Sequence, residues 1–165
     1  MSTTTPPAPT LTTATSTATT QPSHAFAQLE RLVLSMPMAQ TLGLSFTRTT
    51  RGAVEVEIPV REAFTFRPGQ LQATPVFAVA DFAAVAAAGT TLEPGWINAT
   101  VDTTLKLTAP AMGVALRARG RVIDAGKLLT VCAADVYAVA ENGAETLCAT
   151  LLGTAGNIDM NPRPK

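Results

Sequence analysis

One segment, from Thr74 to Gly89, constrains the fold more than any other part of the sequence. Its interior is an almost unbroken apolar run, and its ends carry helix signals: Thr74 suits an N-cap, Pro75 the first helical position and Gly89 the C-terminal cap. A helix that is apolar almost all round has no polar face to turn to water. The sequence therefore predicts a central helix that the rest of the chain surrounds.

The remaining segments supply the sheet that surrounds this helix. Residues 53–60 alternate apolar and polar side chains, which predicts a half-buried strand that forms a hairpin with residues 42–49 through Arg51-Gly52. Four more long strands are predicted after the helix, separated by short turn sequences: Trp96–Leu107, Val114–Ile123, Leu128–Val139 and Glu145–Thr154. Turns this short join antiparallel strands. We therefore expect an α+β fold in which one antiparallel β-sheet wraps a long central helix.

Around this core the sequence predicts a single domain with two tails. Residues 1–24 are rich in Thr, Pro and Ala and contain no Lys, Arg, Asp or Glu, a composition typical of a disordered tail. The domain is expected over residues 25–156, beginning with a short helix that ends before Met36-Pro37, and residues 157–165 are expected to form a flexible C-terminal tail. A secretory signal would show a basic start followed by an apolar block, and residues 1–24 do not have that pattern. A cytoplasmic location is therefore predicted.

Composition and charge exclude several classes of function. The 12 Lys plus Arg balance the 12 Asp plus Glu, which leaves no basic stripe of the kind that binds nucleic acid. The apolar run of the central helix is shorter than the roughly 20 residues of a membrane span and contains Asp81, so no membrane partner is predicted. Cys132 and Cys148 lack zinc-ligand spacing, and the only histidine is His24 in the tail. Metal sites and mechanisms that need a core imidazole are therefore not expected.

The apolar surplus of the chain predicts an oligomer. Hydrophobic residues make up 47% of the sequence and charged residues only 15%, so little charge is available to solvate the outside. The predicted strand Leu128–Val139 is apolar on both faces. One face would cover the helix and the other needs a partner surface, so we expect a homodimer.

Five short stretches carry a family pattern: Ala39-Gln40-Thr41-Leu42-Gly43-Leu44, Ile58-Pro59-Val60, Val76-Phe77-Ala78-Val79-Ala80-Asp81, Asp102 to Pro110, and Gly120-Arg121-Val122. In this order and spacing, over about residues 37–156, the chain resembles hotdog-fold thioesterases of the PaaI type. The resemblance implies a hotdog fold and an acyl-CoA thioesterase that acts on acyl-CoA or a related acyl thioester. It also implies no cofactor, and a homodimer or a dimer of dimers.

In enzymes of this type a His-Gly-Gly segment enters the helix, and an acidic residue follows two turns into it. Asp81 occupies the acidic position, whereas Gln72-Ala73-Thr74 stands where His-Gly-Gly would be. The resemblance implies Asp81 as nucleophile or general base and the backbone amide of Ala73 as oxyanion donor. Amides at a helix start are unpaired and lie at its positive end, which suits that role. Gln72 would either position the thioester carbonyl or a water, or only satisfy loop backbone groups.

Substrate contacts are expected near this motif and on the strand that follows it, at Thr74, Phe77, Asn98, Thr100 and Lys106. Thr74 would alternatively serve only as the N-cap. Alternation places Asn98, Thr100 and Lys106 on one polar strand face, which is either a solvated face or a ligand-contacting one.

Helix geometry adds an expectation about assembly. Six residues from Pro75 to Asp81 span about 9 Å of helix axis, so one chain has difficulty bringing both the carboxylate and the oxyanion amide to one carbonyl. A site shared by two subunits across a two-fold axis is therefore expected. The alternative function is a catalytically weak hotdog protein that binds acyl thioesters or a protein partner without turnover, because the His-Gly-Gly segment is replaced.

Overall fold

The computed structural model describes residues 26–161 of the 165-residue chain. Its elements are helices α1 (Ala27–Leu34) and α2 (Pro37–Leu42), strands β1 (Ser45–Thr50) and β2 (Ala53–Pro59), a 3-10 turn (Glu62–Phe64), short strands β3 (Thr65–Arg67) and β4 (Gln70–Leu71), helix α3 (Ala73–Gly89), and strands β5 (Trp96–Leu107), β6 (Ala115–Ala125), β7 (Leu129–Val139) and β8 (Glu145–Asp159). The tail predicted over residues 1–24 lies outside the described residues.

Six strands form one antiparallel sheet in the order β1-β2-β6-β7-β8-β5, and β3 pairs with β4 separately. Helix α3 lies against one face of this sheet, where Val76, Val79 and Ala87 are almost completely shielded from solvent. The predicted α+β fold, a hotdog in which an antiparallel sheet wraps a long central helix behind a short N-terminal helix, is confirmed. Within residues 26–161, no helix combines the length and the apolarity that a bilayer crossing requires.

Small residues set the distance between α3 and the sheet. Ala83 and Ala84 of the helix are fully buried, and Gly120 of β6 lies opposite them. A Cβ atom at position 120 would overlap the carbonyl oxygen of Ala83. Glycine in a strand interior ordinarily weakens the strand. At this position it lets the backbone of β6 pass directly beneath the helix and so fixes the depth at which α3 sits.

The ends of α3 differ from the prediction. The N-cap is Gln72, whose backbone is extended (φ −65°, ψ 163°), and Ala73 is the first helical residue. Thr74 is therefore helical and is not the N-cap, although a residue before proline usually avoids this conformation. The proline is tolerated because the N–H that it lacks would have no acceptor within the first helical turn. At the other end Thr90 is the C-cap, and Gly89 is the last helical residue without a left-handed backbone.

Two other boundaries differ from the expected ones. Helix α1 ends at Leu34, before Met36-Pro37 as predicted, but Pro37 starts a second helix, α2, since proline suits the first helical position. Strand β1 therefore begins at Ser45 and not at residue 42. Strand β8 extends to Asp159, so residues 157–159 belong to the sheet and not to the C-terminal tail. Asn157 secures this extension, because its buried side chain donates a 3.0 Å hydrogen bond to the Thr130 hydroxyl.

A β-bulge in β5 changes which of its side chains face α3. The register with β8 shifts between Thr100 and Asp102, which leaves Val101 as an extra residue. An extra residue reverses the alternation of faces beyond it. Asn98 and Thr100 therefore face α3, whereas Lys106 lies on the opposite face of the sheet. The prediction that these three residues share one face is wrong.

The sheet face opposite α3 carries a cluster of ion pairs. Arg117 contacts Glu57 and Glu145, both at 2.7 Å, and Arg119 contacts Glu55 at 2.7 Å and Glu145 at 2.8 Å. Partial burial tends to raise the pKa of Glu55, but its hydrogen bond and charge interaction with Arg119 hold that pKa below the usual value. These guanidinium groups are therefore already paired within the chain.

Candidate active site

Asp81 lies in the middle of α3, on the side of the helix that faces β5. Its carboxylate accepts a hydrogen bond from the Thr100 hydroxyl, whose oxygen lies 3.0 Å from one carboxylate oxygen and 3.2 Å from the other. A hydroxyl donates only one hydrogen, so Thr100 holds the carboxylate in place without saturating it. Partial burial raises the pKa of Asp81 above its ordinary value, and the hydrogen bond from Thr100 offsets part of that rise. Asp81 is thus a stronger base than a free carboxylate and retains capacity to accept a further hydrogen bond.

The Asp81 side chain lines one end of a cavity of about 290 Å³ between α1, α3 and β5. Apolar side chains form most of its wall, among them Leu29, Leu32 and Val33 from α1, Phe82 and Val85 from α3, Leu92 from the segment after α3, and Trp96 from the start of β5. Asn98 also lines the cavity, and its side-chain amide donates a 2.8 Å hydrogen bond to the Val85 carbonyl. The structure therefore brings three of the predicted site residues, Asp81, Asn98 and Thr100, to one cavity.

The other predicted catalytic residues lie at the start of α3. The backbone amides of Ala73 and Thr74 precede any intrahelical acceptor, and both residues are exposed. The Gln72 side chain donates a long 3.4 Å hydrogen bond to the Thr65 carbonyl. Gln72 and Thr74 line a second cavity of about 290 Å³, which lies between α2, the 3-10 turn and α3. This end of the helix offers two backbone N–H donors at its positive pole, where negative charge is stabilised.

Within one chain the carboxylate and these amides lie far apart. Eight residues separate Ala73 from Asp81, which corresponds to about 12 Å along the helix axis. A base and an oxyanion donor must both come within about 3 Å of the same reacting group. Phe77 lies between them along the helix and is 39% exposed, and Lys106 lines neither cavity. One chain therefore keeps the Asp81 carboxylate and the amides at the start of α3 apart, as two separate candidate half-sites.

The wall of the cavity beside Asp81 was not evident from the sequence. An apolar stripe on a short helix such as α1 looks the same whether it fills a core or lines a cavity, so Leu29 and Val33 indicated only packing. Gly89 indicated a helix cap, yet it lines this cavity. Across the part of the chain that the structure describes, no group of three potential metal ligands occurs.

Comparison with known proteins relates this geometry to solved structures. No protein-family model and no curated protein matches the chain. A thioesterase family protein from Silicibacter pomeroyi is 31% identical, with a TM-score of 0.77 over 81% of this chain and 98% of that protein. A phenylacetic acid degradation-related protein from Ralstonia eutropha is 25% identical, with a TM-score of 0.67 over 80% of this chain and 98% of its own. The PaaI protein of E. coli shares the fold at 18% identity, with a TM-score of 0.70 over 81% of this chain and 93% of that one.

Proposed function

Because this chain belongs to the hotdog-fold thioesterase family, whose chemistry is the hydrolysis of thioesters, we propose that it cleaves acyl-CoA or a related acyl thioester to the free acid and the thiol. The observation that carries the proposal is the Asp81 carboxylate, held by Thr100 at the end of an apolar cavity. A partly buried carboxylate in an otherwise apolar helix costs stability. Such a cost is typical of functional sites, where a base needs a raised pKa.

Asp81 acts on the thioester carbonyl in one of two ways. As a general base it takes a proton from a water, whose oxygen then attacks the carbonyl carbon. As a nucleophile its own oxygen attacks that carbon, and water later cleaves the resulting anhydride. In both cases Thr100 orients the carboxylate, and the carbonyl oxygen becomes an oxyanion that needs donors. Collapse of the tetrahedral intermediate releases the thiolate.

The donors for that oxyanion are the amides at the start of α3, and we propose that a second subunit supplies them. The separation of about 12 Å between Ala73 and Asp81 supports a shared site. An antiparallel pair of α3 helices across a two-fold axis would bring Ala73 of the partner subunit towards Asp81 and would create two equivalent sites. Strand β5 lies at the sheet edge, where its free backbone groups suit pairing with the same strand of a second copy. A dimer of two such dimers is compatible with this arrangement.

The polar residues near each half-site take supporting roles in this proposal. Thr74 provides the second backbone donor, and Gln72 lies beside it where it can position the carbonyl or a water. Phe77 is exposed between the two half-sites, where it can contact substrate or the partner subunit.

The two cysteines of the chain are buried and unpaired, which is compatible with the reducing cytoplasm that we propose as the location of this protein.

A panel of acyl-CoA esters, assayed for free thiol, tests the proposal together with an Asp81→Asn variant. We expect the variant to lose about 10²- to 10⁴-fold in kcat, the range that general bases contribute. Its Tm should be unchanged or higher at neutral pH, because burial penalises the charge that the substitution removes. The matched control is Asp102→Asn, an exposed carboxylate beyond the bulge in β5, which should retain activity.

The same assay separates the alternative function. A wild-type protein that binds the acyl-CoA panel without releasing thiol would be the catalytically weak binder that the Gln72-Ala73-Thr74 replacement suggests. Full activity in Asp81→Asn would instead support the thioesterase function but refute the catalytic role of Asp81.

A further inference from the structure

The cavity beside Asp81 follows one stripe of α3. Asp81, Val85 and Gly89 recur at four-residue spacing, and all three line it. This spacing places them on one helix face and extends the cavity over about 12 Å of helix axis. Leu92 and Trp96 line the end that lies beyond Gly89. The cavity is therefore an elongated apolar space that starts at the proposed catalytic carboxylate.

The backbone conformation at position 89 does not require a glycine. A glycine at a helix end ordinarily adopts a left-handed conformation, but Gly89 is helical, and the glycines with positive φ lie elsewhere. Within a helix, glycine is also less favourable than alanine. A Cβ atom at position 89 would lie 3.1 Å from Leu29 Cδ1 and 3.5 Å from Asn98 Oδ1, in the space between α3, α1 and β5. The glycine therefore lets Leu29 and Asn98 approach the helix closely at this narrow point of the cavity, and a larger side chain there would have to displace Leu29.

The size and polarity of this space define what it can hold. A volume of about 290 Å³ is at the low end for small-molecule sites, so the cavity suits an acyl group alone and not the whole thioester. Its polar groups near the far end are limited, because Asn98 already donates its amide to the Val85 carbonyl. At about 1.2 Å per bond, a chain of eight to ten carbons is roughly 8 to 11 Å long, which fits within the 12 Å that the cavity follows along the helix.

We propose that this cavity holds an unbranched aliphatic acyl chain of about eight to ten carbons, and that Gly89 sets how far the chain reaches. The proposal rests on the proposed thioesterase function, since the acyl carbonyl is taken to lie at Asp81. Gly89 is then a specificity-determining residue. Leu29 is the side chain nearest to where a Cβ atom at position 89 would lie, and it forms the opposite wall of the cavity at this narrow point.

A binding experiment tests the cavity without requiring hydrolysis. Trp96 is the only tryptophan of the chain and lines the cavity, so its fluorescence reports occupancy. The probes are unbranched primary alcohols from butanol to decanol, which have no charge to oppose the Asp81 carboxylate. In the wild type the affinity should rise about fourfold per methylene through decanol. In Gly89→Val the rise should stop about two to three carbons earlier.

Variants at Leu29 provide the reciprocal test. Leu29→Ala should extend the chain-length optimum of kcat/KM for acyl-CoA, and combined with Gly89→Val it should restore part of the lost reach. The matched control is Leu34→Ala, which makes the same change on α1 at a residue outside the cavity. It should leave the length dependence unchanged.

The outcomes distinguish this inference from the proposed function. If acyl-CoA is hydrolysed but wild type and Gly89→Val show the same length dependence, the inference is overturned and the thioesterase function stands. If no acyl-CoA is hydrolysed but the alcohols show the methylene series and Gly89→Val shortens it, the cavity inference stands and the function fails. Absence of any Trp96 response to the alcohols overturns the inference directly.

Discussion

Replacing Ala73 with proline removes one backbone amide while leaving the helix start intact. Ala73 is the first residue of α3, where proline is well tolerated because the N–H has no helical partner. The preceding residue, Gln72, already has the extended backbone (φ −65°, ψ 163°) that proline requires of its predecessor. Ala73→Pro should therefore fold normally, and it should gain up to about 1 kcal/mol from a less flexible unfolded chain.

The expected effect on catalysis follows from the loss of one proposed oxyanion donor. Removal of a single donor in a comparable site lowers kcat about 10²- to 10³-fold, equivalent to about 2.7–4 kcal/mol of transition-state stabilisation. Thr74 keeps its own amide, so residual activity above that of an Asp81→Asn variant is compatible with the mechanism. The KM should change less than kcat, because the oxyanion forms only in the transition state.

The assay is the rate of thiol release, with Tm measured in parallel. Ala73→Val is the matched control, since it adds bulk at the same position but keeps the N–H, and Ala73→Gly tests whether the methyl group hinders the carbonyl. Mixing Ala73→Pro subunits with Asp81→Asn subunits should recover activity in heterodimers, because one of their two sites then has both intact groups. If the kcat of Ala73→Pro is within about threefold of that of Ala73→Val, the role of this amide is refuted, because such a loss is far smaller than the loss expected for an oxyanion donor.

Two further predictions concern Asp81 and the depth of α3. Thr100→Val removes the hydrogen bond that lowers the raised pKa of Asp81, so the acidic limb of the kcat/KM profile should move to higher pH; an unmoved limb would mean that another group titrates. Gly120→Ala should lower the free energy of unfolding by about 1–3 kcal/mol in denaturant titrations, because the methyl group meets the Ala83 carbonyl. Gly89→Ala, whose nearest neighbour is a flexible Leu29 methyl group, is its control and should not destabilise the protein.

The sequence predicted the order of the elements better than the geometry of the site. The apolar run within α3 and the alternation of β2 are strong local signals, and the structure contains both elements. The first residue of α3 was missed because the dipeptide Thr74-Pro75 resembles a helix boundary, whereas the structure has a proline inside the first turn.

The bulge at Val101 had no sequence signal. The alternation of polar and apolar residues continues through it, with Thr103 as the one exception, so the pattern gives no sign of where the two faces exchange. This exchange decides that Thr100 reaches Asp81 and that Lys106 does not. The cavity was equally hidden, because it depends on how α1 docks on α3, and an apolar stripe does not reveal its partner.

The position of β8 between β7 and β5 determines when the domain can close during synthesis. Among the described residues, β5 pairs only with β8, and β8 follows it by about 40 to 50 residues. At roughly 5–20 residues per second, β5 waits for several seconds before its partner is made. During this interval α3 has one side without its sheet cover and is exposed to aggregation or to chaperones. In stalled nascent chains that are extended at the C-terminus so that residues 145–159 clear the exit tunnel, protease sensitivity should therefore end abruptly once those residues emerge, and a gradual decline from β6 onward would contradict this order of assembly.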